Sequence, residues 1–194
     1  DISKGAYEDP TIWEQLPPDR MTLASADPQA FKPDMTRPGH LKVTHSSNFK
    51  FAPFARQADQ MVLERITRDA SRTRQPWGKP PVNMLTRSSI FVPLSKWPML
   101  VTGNCRCLCD EEGVISINRA VTQNLDESRL LYDSVNACLE TLGCPKASVV
   151  PFDAYLQAAE KLSRISSLAG ALNAGSTAVE RIDLLVLNLM LDRK

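Results

Sequence analysis

The sequence contains no apolar run near the ~20 residues needed to cross a bilayer, its longest being about half that. No transmembrane segment is predicted, and any membrane contact would be peripheral. Also missing are C-x-x-C and H-x-x-x-H pairs, the spacings from which structural zinc sites are usually built. No nucleotide-binding motif and no internal repeat can be read. Excess charge is nearly absent, with 23 basic against 22 acidic residues and a net charge of +1. Affinity for a polyanion therefore has to come from local clustering rather than overall balance. An even cysteine framework is lacking too: Cys105, Cys107, Cys109, Cys138 and Cys144 make five thiols in a chain without a signal-like start. That pattern points to a reducing compartment, cytoplasm or nucleus. The chain opens on Asp1 rather than Met, which reads as trimming of earlier residues.

Proline is almost missing from the second half. Of the 14 prolines only Pro145 and Pro151 follow Pro98. Because proline breaks helix and sheet interiors, the first half is predicted to be loop-rich and the second regular. At 194 residues, with a 43% apolar share, the chain suits one compact domain with an extra arm. The arm is residues 1–40, which carry six prolines, Trp13 and Phe31, and no lasting period. The domain is 41–194 and of α+β class.

Within 41–194 the expected order begins with a short strand at 41–44. Pro53 suits a first helical position, and Ala55, Ala58, Val62, Ile66 and Ala70 recur at helical spacing, predicting a helix over 53–73 with that stripe inward. Short strands are predicted at 90–94, 99–109 and 114–117, with Asp110-Glu111-Glu112-Gly113 as a hairpin loop, giving a small antiparallel sheet. Asn124-Leu125-Asp126-Glu127 reads as a helix cap, opening a helix over 125–142 that Gly143-Cys144-Pro145 stops. A second helix is predicted over 152–173 and a third over 177–192, the latter opened by the Thr177–Glu180 capping box. These three form a C-terminal layer of neighbouring helices. The last is apolar nearly all round, so it must be enclosed by other elements or by another chain. Leu184, Leu187 and Leu191 lie opposite Ile182, Leu185 and Leu189 and are read as a subunit interface, making the protein a homo-oligomer.

The functional hint is local charge. Between Arg37 and Lys96 basic residues exceed acidic ones by eight, so the remainder is acidic by about as much. Arg65, Arg68 and Arg72 follow one another at i, i+3 and i+7, a spacing that shares one helix face. Arg74, Lys79 and Arg87 extend the run, and Trp77 offers a platform for a base to stack on. A guanidinium fork suits phosphate oxygens, and clustered cations release counterions on meeting a polyanion.

Two chemical readings are weaker. In a strand Cys105, Cys107 and Cys109 would share a face, yet no C-x-x-C or H-x-x-x-H pair accompanies them and Cys144, His40 and His45 complete a zinc site only if the fold gathers them, so small buried hydrophobes are expected instead. Cys105 with His40 or His45 and Asp59 or Asp69 supplies the residue types of a nucleophile, base and orienter. However, Arg106 stands where a glycine would free a backbone N–H for an oxyanion hole. No enzyme, metal or cofactor is therefore expected. The expectation is a non-enzymatic, self-associating structural or regulatory protein that binds RNA or another polyanion through its basic segment. A viral nucleocapsid, matrix or silencing-suppressor protein has this kind of layout. The alternative is an adaptor whose basic cluster meets an acidic partner.

Overall fold

The computed structural model describes the chain except at residues 1, 8, 26–28, 32, 33, 35, 45–47, 74–77, 79–82, 109–112, 177, 178, 180, 193 and 194, and gives only the backbone of 29–31, 42–44 and 48. Its strands are β1 (Ala24–Ser25), β2 (Gln29–Phe31), β3 (Lys42–Thr44), β4 (Asn48–Phe51) and β5 (Asn83–Thr86). Its α-helices are α1 (Gln57–Arg72), α2 (Phe91–Leu94), α3 (Trp97–Met99), α4 (Ile117–Thr122), α5 (Leu125–Thr141), α6 (Phe152–Ala159), α7 (Ser167–Asn173) and α8 (Ile182–Asp192). The α+β class with a small sheet is as expected. Two compact units result: Thr11–Pro28 with His45–Leu94, and Asp1–Pro10 with Gln29–Thr44 and Ser95–Lys194.

The first unit is built on a mixed three-stranded sheet in the order β1-β4-β5. β1 runs antiparallel to β4 with Ala24 opposite Phe51, and β4 runs parallel to β5 with Phe49 opposite Met84 and Phe51 opposite Thr86. Parallel neighbours need a crossover, and α1 supplies it between β4 and β5. The proline-rich stretch before β1 forms short 3₁₀ helices at Pro10–Gln15 and Pro18–Arg20, and Thr22 then ties it to the sheet by donating to the carbonyls of Ala52 and Pro53, 3.0 Å each. Pro18, Met21, Thr22 and Leu23 line a cleft of about 350 Å³ with Pro53, Phe54, Ala55 and Ile90.

The structure corrects the face assigned to α1. Val62 is 58% exposed and Ile66 49%, while Leu63 is buried. Successive residues are ~100° apart on a helix, so the packed strip is displaced by about one position from the alanine-rich stripe. Strands of two to four residues offer a narrow surface. Leu63 fills it, with Asp59, Gln60, Thr67 and Ala70 half-buried beside it.

In the second unit α5 is the hub. Tyr132, Val135 and Leu139 are almost wholly buried. Tyr132 belongs to a core with Cys107, Ile117, Val121, Phe152, Tyr155 and Ala169. Val135 belongs to another with Val101 and Val186, flanked by Trp97, Leu131, Ile182 and Met190. Asn124 caps α5 as expected, its Oδ1 accepting from the Glu127 amide at 3.1 Å, and Gly143 at φ +94 ends it. β2 and β3 pair antiparallel, so 41–44 contains the predicted strand.

Among the described residues the strands predicted at 90–94, 99–109 and 114–117 are not formed. Phe91–Leu94 and Trp97–Met99 are helical, Leu100–Asn104 is a π-helical turn, and Cys105–Leu108 is a 3₁₀ turn. Val101, Thr102 and Gly103 are all buried, so this stretch has no alternation between an inner and an outer face. Pro98 lies in the first turn of α3, where its missing N–H costs nothing. The expected hairpin loop at 110–112 lies outside the described residues.

The helix predicted over 152–173 is two helices. Ser166 caps α7 by accepting from the Ala169 amide. The carbonyls of Leu162 and Arg164 accept from the Asn118 and Ile117 amides at the start of α4 instead of serving their own helix. In α8, Val186 and Leu189 are buried while Leu187 and Leu191 are 48% and 56% exposed. Asn188 Nδ2 donates to the carbonyls of Ile2 and Lys4, holding the chain start along α8. Gly5 in that segment adopts φ +74, and a Cβ there would lie 3.6 Å from Leu184 Cδ1. Among the described residues no helix is long and apolar enough to cross a membrane.

Candidate functional site

α1 places Arg65, Arg68 and Arg72 on its exposed side. The helix starts where the Phe54 amide donates to Gln60 Oε1, and it stops where Thr73 turns extended with its amide on the Asp69 carbonyl. Over Gln57–Arg72 the three arginines are balanced by Asp59, Glu64 and Asp69. The acids are partly engaged: Asp59 lies 3.5 Å from Arg56, Glu64 accepts from Gln60, and Asp69 is 3.7 Å from Arg65. The Arg65–Asp69 pair is 80% and 62% exposed, so it constrains Arg65 little. Arg68 and Arg72 form no ion pair among the described residues.

Arg87 is exposed just beyond β5, the strand that packs against α1, and its amide donates to the Phe51 carbonyl. Arg74, Trp77 and Lys79 lie outside the described residues. Beside the arginines, and missed by the periodicity, stand Met61, Val62 and Ile66, each about half exposed or more. The outer half of α1 thus offers cations and apolar side chains side by side. It can hold phosphate oxygens by charge-assisted hydrogen bonds, and it can also bury apolar area against a protein.

For the interface leucines, Leu184 is half-buried next to the 2–6 segment, whereas Leu187 and Leu191 remain open. The cysteines differ from the expected shared strand face. Cys107 is buried in a helical turn with its thiol donating to the Gly103 carbonyl, Cys105 is half-buried, and Cys109 lies outside the described residues. No three His, Cys, Asp or Glu side chains gather among the described residues. Of the groups weighed as a catalytic set, Asp59 and Asp69 are paired with arginines, and His45 lies outside the described residues.

Inside the second unit, Tyr132 and Tyr155 stack with centroids 5.2 Å apart and donate to the carbonyls of Val150 and Met99. Burial pushes the Tyr132 phenol up to about 12 and the Tyr155 phenol higher still. These hydroxyls therefore act as fixed donors that hold α5 to the segment before α6 and α6 to the end of α3. Arg106 does the same for the start of α5. Its guanidinium donates to Ser128 Oγ at 2.6 Å and to Glu127 at 3.0 Å.

Along the outer side of α5 runs a groove of about 370 Å³, lined by Asp133, Asn136, Ala137, Glu140, Lys146 and the Val149–Phe152 stretch. Nothing in the spacing of α5 announces it, because half of its wall comes from the chain that follows the helix. No protein-family model, curated protein or solved structure matches this chain.

Proposed function

We propose that the protein is a non-enzymatic, self-associating structural or regulatory protein that holds a polyanion, RNA first, on the outer side of α1. The observation that carries this reading is the set Arg65, Arg68 and Arg72 on one exposed side, two of them without an acidic partner among the described residues. Arg87 is exposed just beyond β5, and the sequence between α1 and β5 adds Arg74, Trp77 and Lys79 to the basic run. Contacts of this kind grip phosphates without reading sequence. Assembly of copies uses the leucines of α8 that stay open, Leu187 and Leu191, with Leu184 at their margin. A viral nucleocapsid, matrix or silencing-suppressor role in a reducing compartment fits such a protein.

One observation favours a second reading, an adaptor with an acidic protein partner: Met61, Val62 and Ile66 are exposed beside the arginines, and apolar side chains add nothing to a phosphate contact. Anisotropy of a labelled single-stranded RNA across a salt series separates the two. Each phosphate contacted contributes about −0.7 to the slope of log affinity against log salt. Replacing Arg65, Arg68 and Arg72 together by alanine should flatten that slope by ~2. Absence of RNA affinity at low salt would reject the first reading and leave the adaptor.

A further inference from the structure

The groove beside α5 has a definite chemistry. Its walls include Ala137, Val149, Pro151 and Phe152, and its acids are Asp133 and Glu140. Asn136, which also lines it, is 8% exposed, and its Oδ1 lacks a hydrogen-bond partner among the described residues. Carboxylates and an unsatisfied carbonyl oxygen beside apolar walls call for a cationic donor on an apolar stem. Leu130, 71% exposed, continues the apolar line along the helix, and Asp126 continues the acidic one.

The outer side of α1 carries the complementary set. Arg65 and Arg72 are seven residues apart, as are Asp133 and Glu140. That spacing is ~10.5 Å along either helix axis. Parallel docking sets Arg65 by Asp133 and Arg72 by Glu140, and antiparallel docking exchanges the two. Met61, Val62 and Ile66 lie alongside to meet the apolar walls and Leu130. The charge of the whole chain is divided in the same sense, the 37–96 segment being basic by eight in a chain of net +1.

We propose that the groove beside α5 receives helix α1 of a second copy of this chain. The local ion pairs that must open are weak. Lys146 Nζ lies 3.9 Å from Glu140 with its side chain 87% exposed, and Arg65 is 3.7 Å from Asp69. Arg129 does not neutralise the groove acids, because it is bound to Asp153 and sits 4.6 Å over the Phe152 ring. Donor helix and acceptor groove are different surfaces, so the contact is head-to-tail and grows into rings or filaments. It stands without RNA binding. Where both occur they compete for Arg65 and Arg72.

The test uses the full chain and two exposed-site variants, Asp133→Lys with Glu140→Lys, and Arg65→Glu with Arg72→Glu. Sedimentation velocity of the wild type should show association that grows with concentration and fades as salt rises. Each variant alone should lose that salt-sensitive association, since like charges then face each other. An equal mixture of the two should regain it, because both possible heterologous contacts become complementary again. A wild type without salt-sensitive association, or a mixture that stays silent while each variant keeps its native circular dichroism, overturns the proposal. The Asp133→Lys, Glu140→Lys variant retains its α1 arginines and should still bind RNA, so failure of this docking and failure of RNA binding are read separately.

Discussion

A single methyl group added at Gly103 probes the buried turn that replaced the predicted strand. Gly103 lies in the π-helical turn, and a Cβ there would collide with the Tyr155 hydroxyl and sit 3.2 Å from Ile117 Cγ2 and 3.4 Å from Val121 Cγ2. In an open helix, Gly→Ala is worth up to ~1 kcal/mol of added stability. Here overpacking costs about 1–3 kcal/mol, and pushing Tyr155 aside breaks its bond to the Met99 carbonyl, about 1 kcal/mol more. The net expectation for Gly103→Ala is a loss of about 1–3 kcal/mol by urea unfolding. Tyr155→Phe alone costs ~1 kcal/mol or more through the same lost bond. In the double variant the alanine methyl occupies space that the hydroxyl vacated. Its loss should fall short of the sum of the singles by ~1 kcal/mol. A Gly103→Ala protein as stable as wild type, or a strictly additive double variant, would refute the packing described for Leu100–Asn104 against α6.

On dilute monomeric protein, Leu189→Ala should cost ~2–5 kcal/mol and Leu187→Ala under ~1 kcal/mol, since the first is buried and the second 48% exposed; similar losses would contradict the orientation of α8. The carboxyl of Asp183 is held below the usual range, chiefly by its hydrogen bonds from Arg181. Its contribution to stability is present above the unfolded carboxyl pKa and disappears as pH falls through the lowered folded value. Arg181→Ala should move the Asp183 carbon resonance titration upward, and an unchanged midpoint would show that the pair does not form. For Tyr132, raised to about 12 by burial, and Tyr155, raised further, the sign is reversed. Stability is intact below about pH 10 and erodes as pH rises toward the folded values. Ultraviolet titration should show both ionising only with unfolding, whereas ionisation near 10 in folded protein would place them at the surface.

What could be read from the residues follows the reach of each signal. Asn124 with acids in the next turn, Gly143 before Pro145, and Pro151 ahead of an apolar period are local instructions, and α5 and the start of α6 appear where they indicate. The Trp97–Leu108 stretch defeated the same reasoning because three successive buried residues, Val101, Thr102 and Gly103, leave neither a helical nor a strand period. The break between α6 and α7 was hidden for another reason. The carbonyls of Leu162 and Arg164 are taken by amides of α4, about 45 residues away in sequence, and Ser166 then acts as a cap rather than a helix-interior residue. For α1, periodicity found the helix but started it at Pro53 rather than Gln57 and set its buried side wrongly, since Leu63 and not the Val62–Ile66 stripe is buried. The arginine spacing was legible because i, i+3, i+7 depends only on the helix. The exposed Met61, Val62 and Ile66 became visible only once the buried face was known. The groove beside α5 required the return of the Lys146–Phe152 segment against that helix.

Ultraviolet crosslinking of bound single-stranded RNA, followed by mass spectrometry of the nucleotide-bearing peptides, asks directly where a polyanion sits. Crosslinks confined to peptides from α1 through Arg87 are the result that the exposed arginines lead one to expect. Crosslinks falling instead on α4 to α8, or a loss of none of them when Arg65, Arg68 and Arg72 are replaced by alanine, would contradict the assignment of that surface.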